Sequence, residues 1–193
     1  MSTLPKHFIT PEEYLEIERK AETKSEYYRG EMFAMSGASR EHCRLASRLN
    51  SLLEAHLRSR GCEVYVADMR VRVSATAYTY PDVTVVCGEP KFADSGFDTL
   101  LNPTILAEIL SPSTAAWDQE RKAQWYRALS SLSDYLMIAQ DEPAVTLYRR
   151  TTAGWTVVDA SGMDAEVELF SIGYTLRLRD LYEGIVSEAQ ASA

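Results

Sequence analysis

Tyr80-Pro81-Asp82-Val83-Thr84-Val85-Val86 and Ile105-Leu106-Ala107-Glu108-Ile109-Leu110-Ser111-Pro112 are two apolar runs, each interrupted by one carboxylate. Their length and their β-branched content predict neighbouring strands, Tyr80 to Val86 and Thr104 to Leu110. A carboxylate in such a run costs free energy unless something pairs with it. If the strands lie antiparallel, the start of one sits beside the end of the other, so Asp82 and Glu108 meet although they are distant in the chain. The carbonyl of Ile109 is a natural third oxygen. Two carboxylates, a carbonyl and waters suit Mg²⁺ or Mn²⁺.

The next charged residue that bears on this pair is Lys122. Asp118, Lys122, Trp125, Tyr126 and Leu129 share one face of an expected helix, Ala115 to Leu132, by their i, i+3, i+4 spacing. Its apolar members face the sheet, which turns Lys122 inward near Glu108. An ammonium there can steer a water and offset charge on a phosphoryl oxygen. Each residue also has a plainer reading. Pro-Asp is a common turn, Asp118 and Lys122 fit an i, i+4 ion pair, and Trp125 and Tyr126 fit a core better than a base-stacking platform.

Outward from this centre the chain punctuates itself clearly. Thr10-Pro11-Glu12-Glu13 opens a helix with an N-cap, a proline at the first position and acids at the positive end of the dipole. Residues Tyr27 to Met35 form a hairpin turning at Arg29-Gly30, and Glu26 just before it offers another carboxylate. Ser39 caps a long helix to about Ser59, striped by Leu45, Leu49, Leu52 and Leu53 and ended at Gly61. His42 lies on that stripe, either as a core histidine or as part of a site; His56 lies further along it and reads as packing. Arg40, Arg44, Arg48, Arg58 and Arg60 make the helix locally basic, against Glu41 and Glu54 only, available to a phosphate backbone or simply to solvent. Glu63 to Val73 reads as one strand. Asp134 to Gln140 and Val145 to Arg149 read as two more, turning at Asp141-Glu142-Pro143. Trp155 to Asp159 and Glu166 to Phe170 read as an antiparallel pair, and Leu178 to Val186 as a short helix. The connection from Cys87 to Pro103 is long for a hairpin, which marks a loop of functional interest.

The 193 residues favour one domain, 1–193, with a single buried core. Apolar residues make up 46% and charged residues 25%, which argues against disorder. No run reaches membrane-spanning length and the start lacks the layout of a signal peptide, so a cytoplasmic protein without membrane association is expected. Cys43, Cys62 and Cys87 are odd in number and unclustered, which reads as reduced thiols. Net charge is −8, which excludes a protein coated in phosphate-binding residues but leaves room for a local basic strip.

The order helix, strand, Pro-Asp strand, Glu-bearing strand, helix resembles the restriction-endonuclease-like PD-(D/E)XK nuclease superfamily. Within it the chain looks like a small bacterial restriction-endonuclease branch formerly classed as a domain of unknown function. The resemblance rests on Glu26 to Gly30, Ser39 and His42, Pro81-Asp82-Val83, Glu108-Ile109-Leu110-Ser111-Pro112-Ser113-Thr114, and Asp118, Lys122 and Tyr126. It implies an α/β fold, a mixed central sheet flanked by helices with extra antiparallel strands towards the C-terminus. It implies Asp82 and Glu108 as metal ligands and Lys122 as the water-positioning cation, with Glu26 and His42 at further matching positions. The superfamily's usual lysine, two residues after the acid, is Leu110 here; Lys122 matches its relocation to the helix. DNA as substrate, Mg²⁺ or Mn²⁺ as cofactor and a homodimer follow as expectations. Two rivals stand beside the nuclease. One is a catalytically silent module of this fold that binds nucleic acid or a protein; the other is a hydrolase of small phosphate esters.

Overall fold

The computed structural model describes residues 8–35, 37–110 and 122–186. The expected turn at Ser111-Pro112-Ser113-Thr114, Asp118 and the first turns of the expected Ala115–Leu132 helix lie outside the described residues.

In chain order the elements are α1 (Pro11–Glu18), β1 (Ser25–Tyr28), β2 (Glu31–Ala34), α2 (Arg40–Leu57), β3 (Cys62–Val66), β4 (Arg70–Ser74), β5 (Ala77–Thr79) and β6 (Val83–Cys87). They continue with β7 (Thr99–Leu100), β8 (Ile105–Leu110), α3 (Ala123–Ala128), β9 (Asp134–Ala139), β10 (Ala144–Thr151), β11 (Gly154–Ser161), β12 (Glu166–Leu169), β13 (Tyr174–Arg177) and α4 (Leu178–Tyr182). A six-stranded mixed sheet, β11-β10-β9-β8-β6-β3, forms the centre, with β8 and β9 parallel and its other neighbours antiparallel. A second sheet, β2-β1-β5-β4-β7, and a hairpin, β12-β13, complete the strands. The expected mixed sheet flanked by helices, with antiparallel strands towards the C-terminus, is what the chain forms.

Strand parity divides the core. Val83, Val85, Ile105, Ala107 and Ile109 pack under Leu45, Leu49, Leu53 and Leu57 of α2, together with the β12-β13 hairpin and α4. Leu106, Leu110, Val86 and Tyr135 face the other way, onto Tyr126 and Ala123 of α3 and onto Val71 and Val73. The alternation is the two-residue period of a strand. α1 begins as its sequence requires, with Thr10 and Glu13 forming a reciprocal capping box and Pro11 at the first turn. The β1-β2 turn has Arg29 at φ 47° and Gly30 at φ 90°. A Cβ at Gly30 would meet Phe8 at 2.6 Å, so both backbone and packing exclude other residues there.

Several expectations need correction. The expected strand Glu63 to Val73 is two strands in two sheets, parted at Ala67 with φ 45°. The expected strand Tyr80 to Val86 likewise starts at Val83, because Thr79 belongs to β5 and Pro81 has no N–H to give a ladder. Trp155–Asp159 and Glu166–Phe170 do not pair with each other. β11 pairs with β10, and β12 pairs with β13, since each finds its partner across a short turn. α3 ends at Ala128, not Leu132, where Leu129 turns to extended geometry before two serines. α4 ends at Tyr182 rather than Val186. Cys62 and Cys87 are not reduced thiols: they form a disulfide, while Cys43 is free and exposed. They face each other in the β3-β6 register with Cα atoms 4.0 Å apart, next to the Gly88 N–H to Gly61 carbonyl bond. That is the closer, non-hydrogen-bonded type of antiparallel pair, which linear spacing does not reveal.

The long Cys87–Pro103 connection is tied down by charge. Arg70, 3% exposed, meets Asp98 at 3.0 Å and donates to the Tyr80 hydroxyl at 2.9 Å. Asp98 also accepts from Arg19 Nε at 2.7 Å. The Arg19 hydrogen bond, helped by Thr99 and Arg70, holds the Asp98 carboxyl well below the usual range against the cost of burial. Asp98 is a third exposed, so solvent screens it; the larger cost of losing it is a buried Arg70 left without its counter-charge. Asp98→Asn should destabilise the fold by about 2 kcal/mol near neutral pH. Because the folded carboxyl titrates below its ordinary value, its stabilisation is complete above about pH 4 and is lost as pH falls through the folded pKa. Urea melts of both proteins should therefore converge on acidification; a constant gap would remove Asp98 from this role.

Candidate active site

The β6-β8 ladder pairs Val83 with Ala107, and one further step sets Asp82 opposite Glu108. Asp82 stands where the chain enters the central sheet from the second sheet. Its carbonyl accepts from Ala67 N at 3.0 Å, and its Oδ2 accepts from the Ile109 amide at 2.7 Å. The side chain thereby satisfies a main-chain donor whose strand partner has turned away. On the other oxygen, His42 Nε2 lies 2.8 Å from Asp82 Oδ1. Ser39 puts it there: its hydroxyl accepts from His42 N at 3.0 Å and caps α2, placing His42 in the first turn. The hydrogen bond to Asp82 raises the His42 pKa, with partial burial opposing.

Glu108 lies mid-sheet between β6 and β9 and is 5% exposed. Its Oε1 accepts from the Tyr126 hydroxyl at 2.6 Å and from Lys122 Nζ at 3.2 Å. Lys122, 7% exposed at the N-cap of α3, also contacts Glu26 Oε1 of β1 at 2.9 Å. The β1-β5 register, extended one step, sets Glu26 beside Thr79, whose Oγ1 is 3.1 Å from the Tyr126 hydroxyl. Burial first, and then the Glu108 charge, push the Tyr126 phenol well above its ordinary pKa, so it stays protonated and donates.

The fold therefore gathers Glu26, Lys122 and Glu108 into one buried cluster, with Asp82 one step beyond the β6-β8 ladder and His42 reaching it from α2. Thr79 is a member that the sequence does not single out; Tyr126, one turn after Lys122, reads as a core aromatic apart from its place in the family resemblance. Ile109 contributes its amide to Asp82. Arg44 and Arg48 of α2 each have a main-chain partner. Arg44 donates to the Gly184 carbonyl at 2.5 Å and Arg48 to the Asp180 carbonyl at 2.9 Å, latching α4, and Arg40 pairs with Glu41. His56 contacts the Ile172 carbonyl at 2.9 Å and stacks on Tyr174, a packing role.

Among the described residues no group of three or more His, Cys, Asp or Glu side chains is arranged to hold a metal ion. This donor set does not suit zinc, which wants three or four side chains. It is compatible with Mg²⁺, which commonly takes one or two carboxylates and keeps its waters. The carboxylates are oriented by neighbouring donors, and an oxygen with two lone pairs can accept a hydrogen bond and still ligate. In metal-free protein, NMR titration should find His42 protonating above pH 6.5, its ordinary value, and Asp82→Asn should lower that midpoint. An unchanged midpoint in the variant would dissociate the two side chains.

No helix of the described residues is long and apolar enough to cross a membrane. The uncharacterized protein sll1609 of Synechocystis sp. is 38% identical over 162 residues, covering 83% of this chain and 92% of that protein. The uncharacterized protein slr1290 of the same organism is 34% identical over 179 residues, covering 92% and 93%. The crystal structure of a putative nuclease belonging to DUF820 from Anabaena variabilis superposes with a TM-score of 0.77 at 20% identity, covering 92% of this chain and 99% of that one. The fold is thus shared with that structure, and a family model, Uma2, matches residues 11–179. The chain belongs to the Uma2 family, described as "Putative restriction endonuclease", within the restriction-endonuclease-like superfamily.

Proposed function

We propose that the chain is a divalent-metal-dependent nuclease that hydrolyses DNA phosphodiester bonds. The observation that carries this reading is the buried Lys122 ammonium held between Glu26 and Glu108, the latter on the strand antiparallel to the one that Asp82 precedes. A hydrophobic core has no use for such a cluster, because desolvating it costs more than an apolar packing of the same volume.

Asp82 and Glu108 would hold Mg²⁺ or Mn²⁺, with the Ile109 carbonyl as a further oxygen. When bound, the ion supplies Lewis acidity towards the phosphoryl group. Lys122 orients the attacking water and offsets negative charge gathering on the phosphoryl oxygens, and burial strengthens that interaction. Glu26 fixes the ammonium from its far side. His42 positions the Asp82 carboxylate, and Tyr126 positions that of Glu108. As the water oxygen bonds to phosphorus and gives up a proton to solvent, the opposite P–O bond breaks in line and its electron pair leaves on the sugar oxygen, which takes up a proton from solvent.

Supercoiled plasmid incubated with Mg²⁺ or Mn²⁺ should be nicked by the wild type, and chelation should abolish nicking. Asp82→Ala, Glu108→Ala and Lys122→Ala should each lose about 100-fold or more. Equal activity in all four proteins would assign the nicking to a contaminant. Absence of both nicking and a metal-binding heat would leave a binding module in place of a nuclease.

A further inference from the structure

We propose that Arg29 is a phosphate-binding residue for the DNA strand entering this site, held in place by a stack of Tyr28 on Trp125. The inference rests on the nuclease reading above and goes beyond it by naming where the substrate backbone is gripped.

A chain of net charge −8 must meet a polyanion with a few well-placed cations. On α2, Arg44 and Arg48 each donate to a carbonyl near α4, and Arg40 lies beside Glu41. Arg19, Arg70, Arg177 and Arg179 are each paired with a carboxylate. Arg29 is exposed, and its position is set by an aromatic face next to the cluster. That face is the ring of Tyr28, 5.1 Å from the guanidinium carbon to the centroid. Tyr28 in turn stacks on Trp125, with centroids 4.4 Å apart and planes 28° from parallel. Arginine stacked on an aromatic face loses rotamer freedom while its planar N–H edge stays available, the arrangement suited to a phosphate.

The placement links this stack to the site. Glu26 and Tyr28 lie two residues apart on β1 and so share a face, about 7 Å apart by strand rise. Lys122 and Trp125 lie one helical step apart on α3. The contacts Glu26–Lys122 and Tyr28–Trp125 are successive rungs between the same two elements. Arg29 continues that line outward from the cluster to the surface. Its main chain is fixed as well: the amide donates to the Thr76 carbonyl at 2.9 Å, and the turn with Gly30 is tight.

The test is binding of a fluorescent duplex followed by anisotropy in Ca²⁺ across a salt series, with circular dichroism to check each fold. Arg29→Ala should weaken binding several-fold and lower the slope of log K against log salt by about 0.9, the loss of one phosphate contact. Arg29→Lys should keep the slope and lose part of the affinity, since an ammonium neither stacks nor forks. Arg29→Ala with wild-type affinity and slope would overturn the proposal while leaving the nuclease reading intact if both proteins nick plasmid. A wild type that binds no duplex would overturn both.

Discussion

A charged ammonium buried between two carboxylates is the constraint around which the centre of this molecule is arranged. Lys122 is 7% exposed, Glu108 5%, and Glu26 contacts the same nitrogen from another strand. Each charge would be untenable alone in that position, so the three elements that carry them, β1, β8 and α3, must arrive together. The three side chains sum to one negative charge, and Asp82 adds another nearby. The Tyr126 hydroxyl, kept protonated by burial, donates to Glu108 and fixes it in place.

The second organising feature is a seam. Two chain segments cross between the central sheet and the second sheet at adjacent points, one through Ala67 and one through Pro81-Asp82. A crossing leaves ladder donors unpartnered, and the Ile109 amide is one of them. Asp82 answers it with a side-chain oxygen and offers the other oxygen to His42. The carboxylate at the seam is thus both a structural acceptor and a candidate ligand. Its orientation is set by backbone on one side and by a capped helix on the other, which leaves little freedom to relax.

Charge elsewhere on the surface obeys the same economy of partners. The arginines of α2, which composition alone would hand to a phosphate backbone, hold main-chain carbonyls near α4. The loop between β6 and β8, long enough to be mobile, is instead moored by Arg70 and Arg19 on Asp98. What sets Arg29 apart is its seat on the Tyr28 ring, which stacks on Trp125 beside the buried cluster.

What the sequence by itself determined is local. The capping box at Thr10, the turn at Arg29-Gly30, the leucine stripe of α2 and the inward face shared by Lys122 and Tyr126 follow from caps, φ signs and periodicity, which act over a few residues. The antiparallel pairing of the strands that carry Asp82 and Glu108 was legible too, because two neighbouring apolar runs of strand length find each other across one connection. Tertiary structure alone decided the rest. The splitting of residues 63–73 between two sheets, the Cys62–Cys87 bridge, the latching of α4 by Arg44 and Arg48 and the hydrogen bond from Tyr126 to Glu108 all depend on which strands pair and in what register. Register is a contest among distant segments for the same ladder bonds and the same buried volume, and no short window of residues contains both contestants.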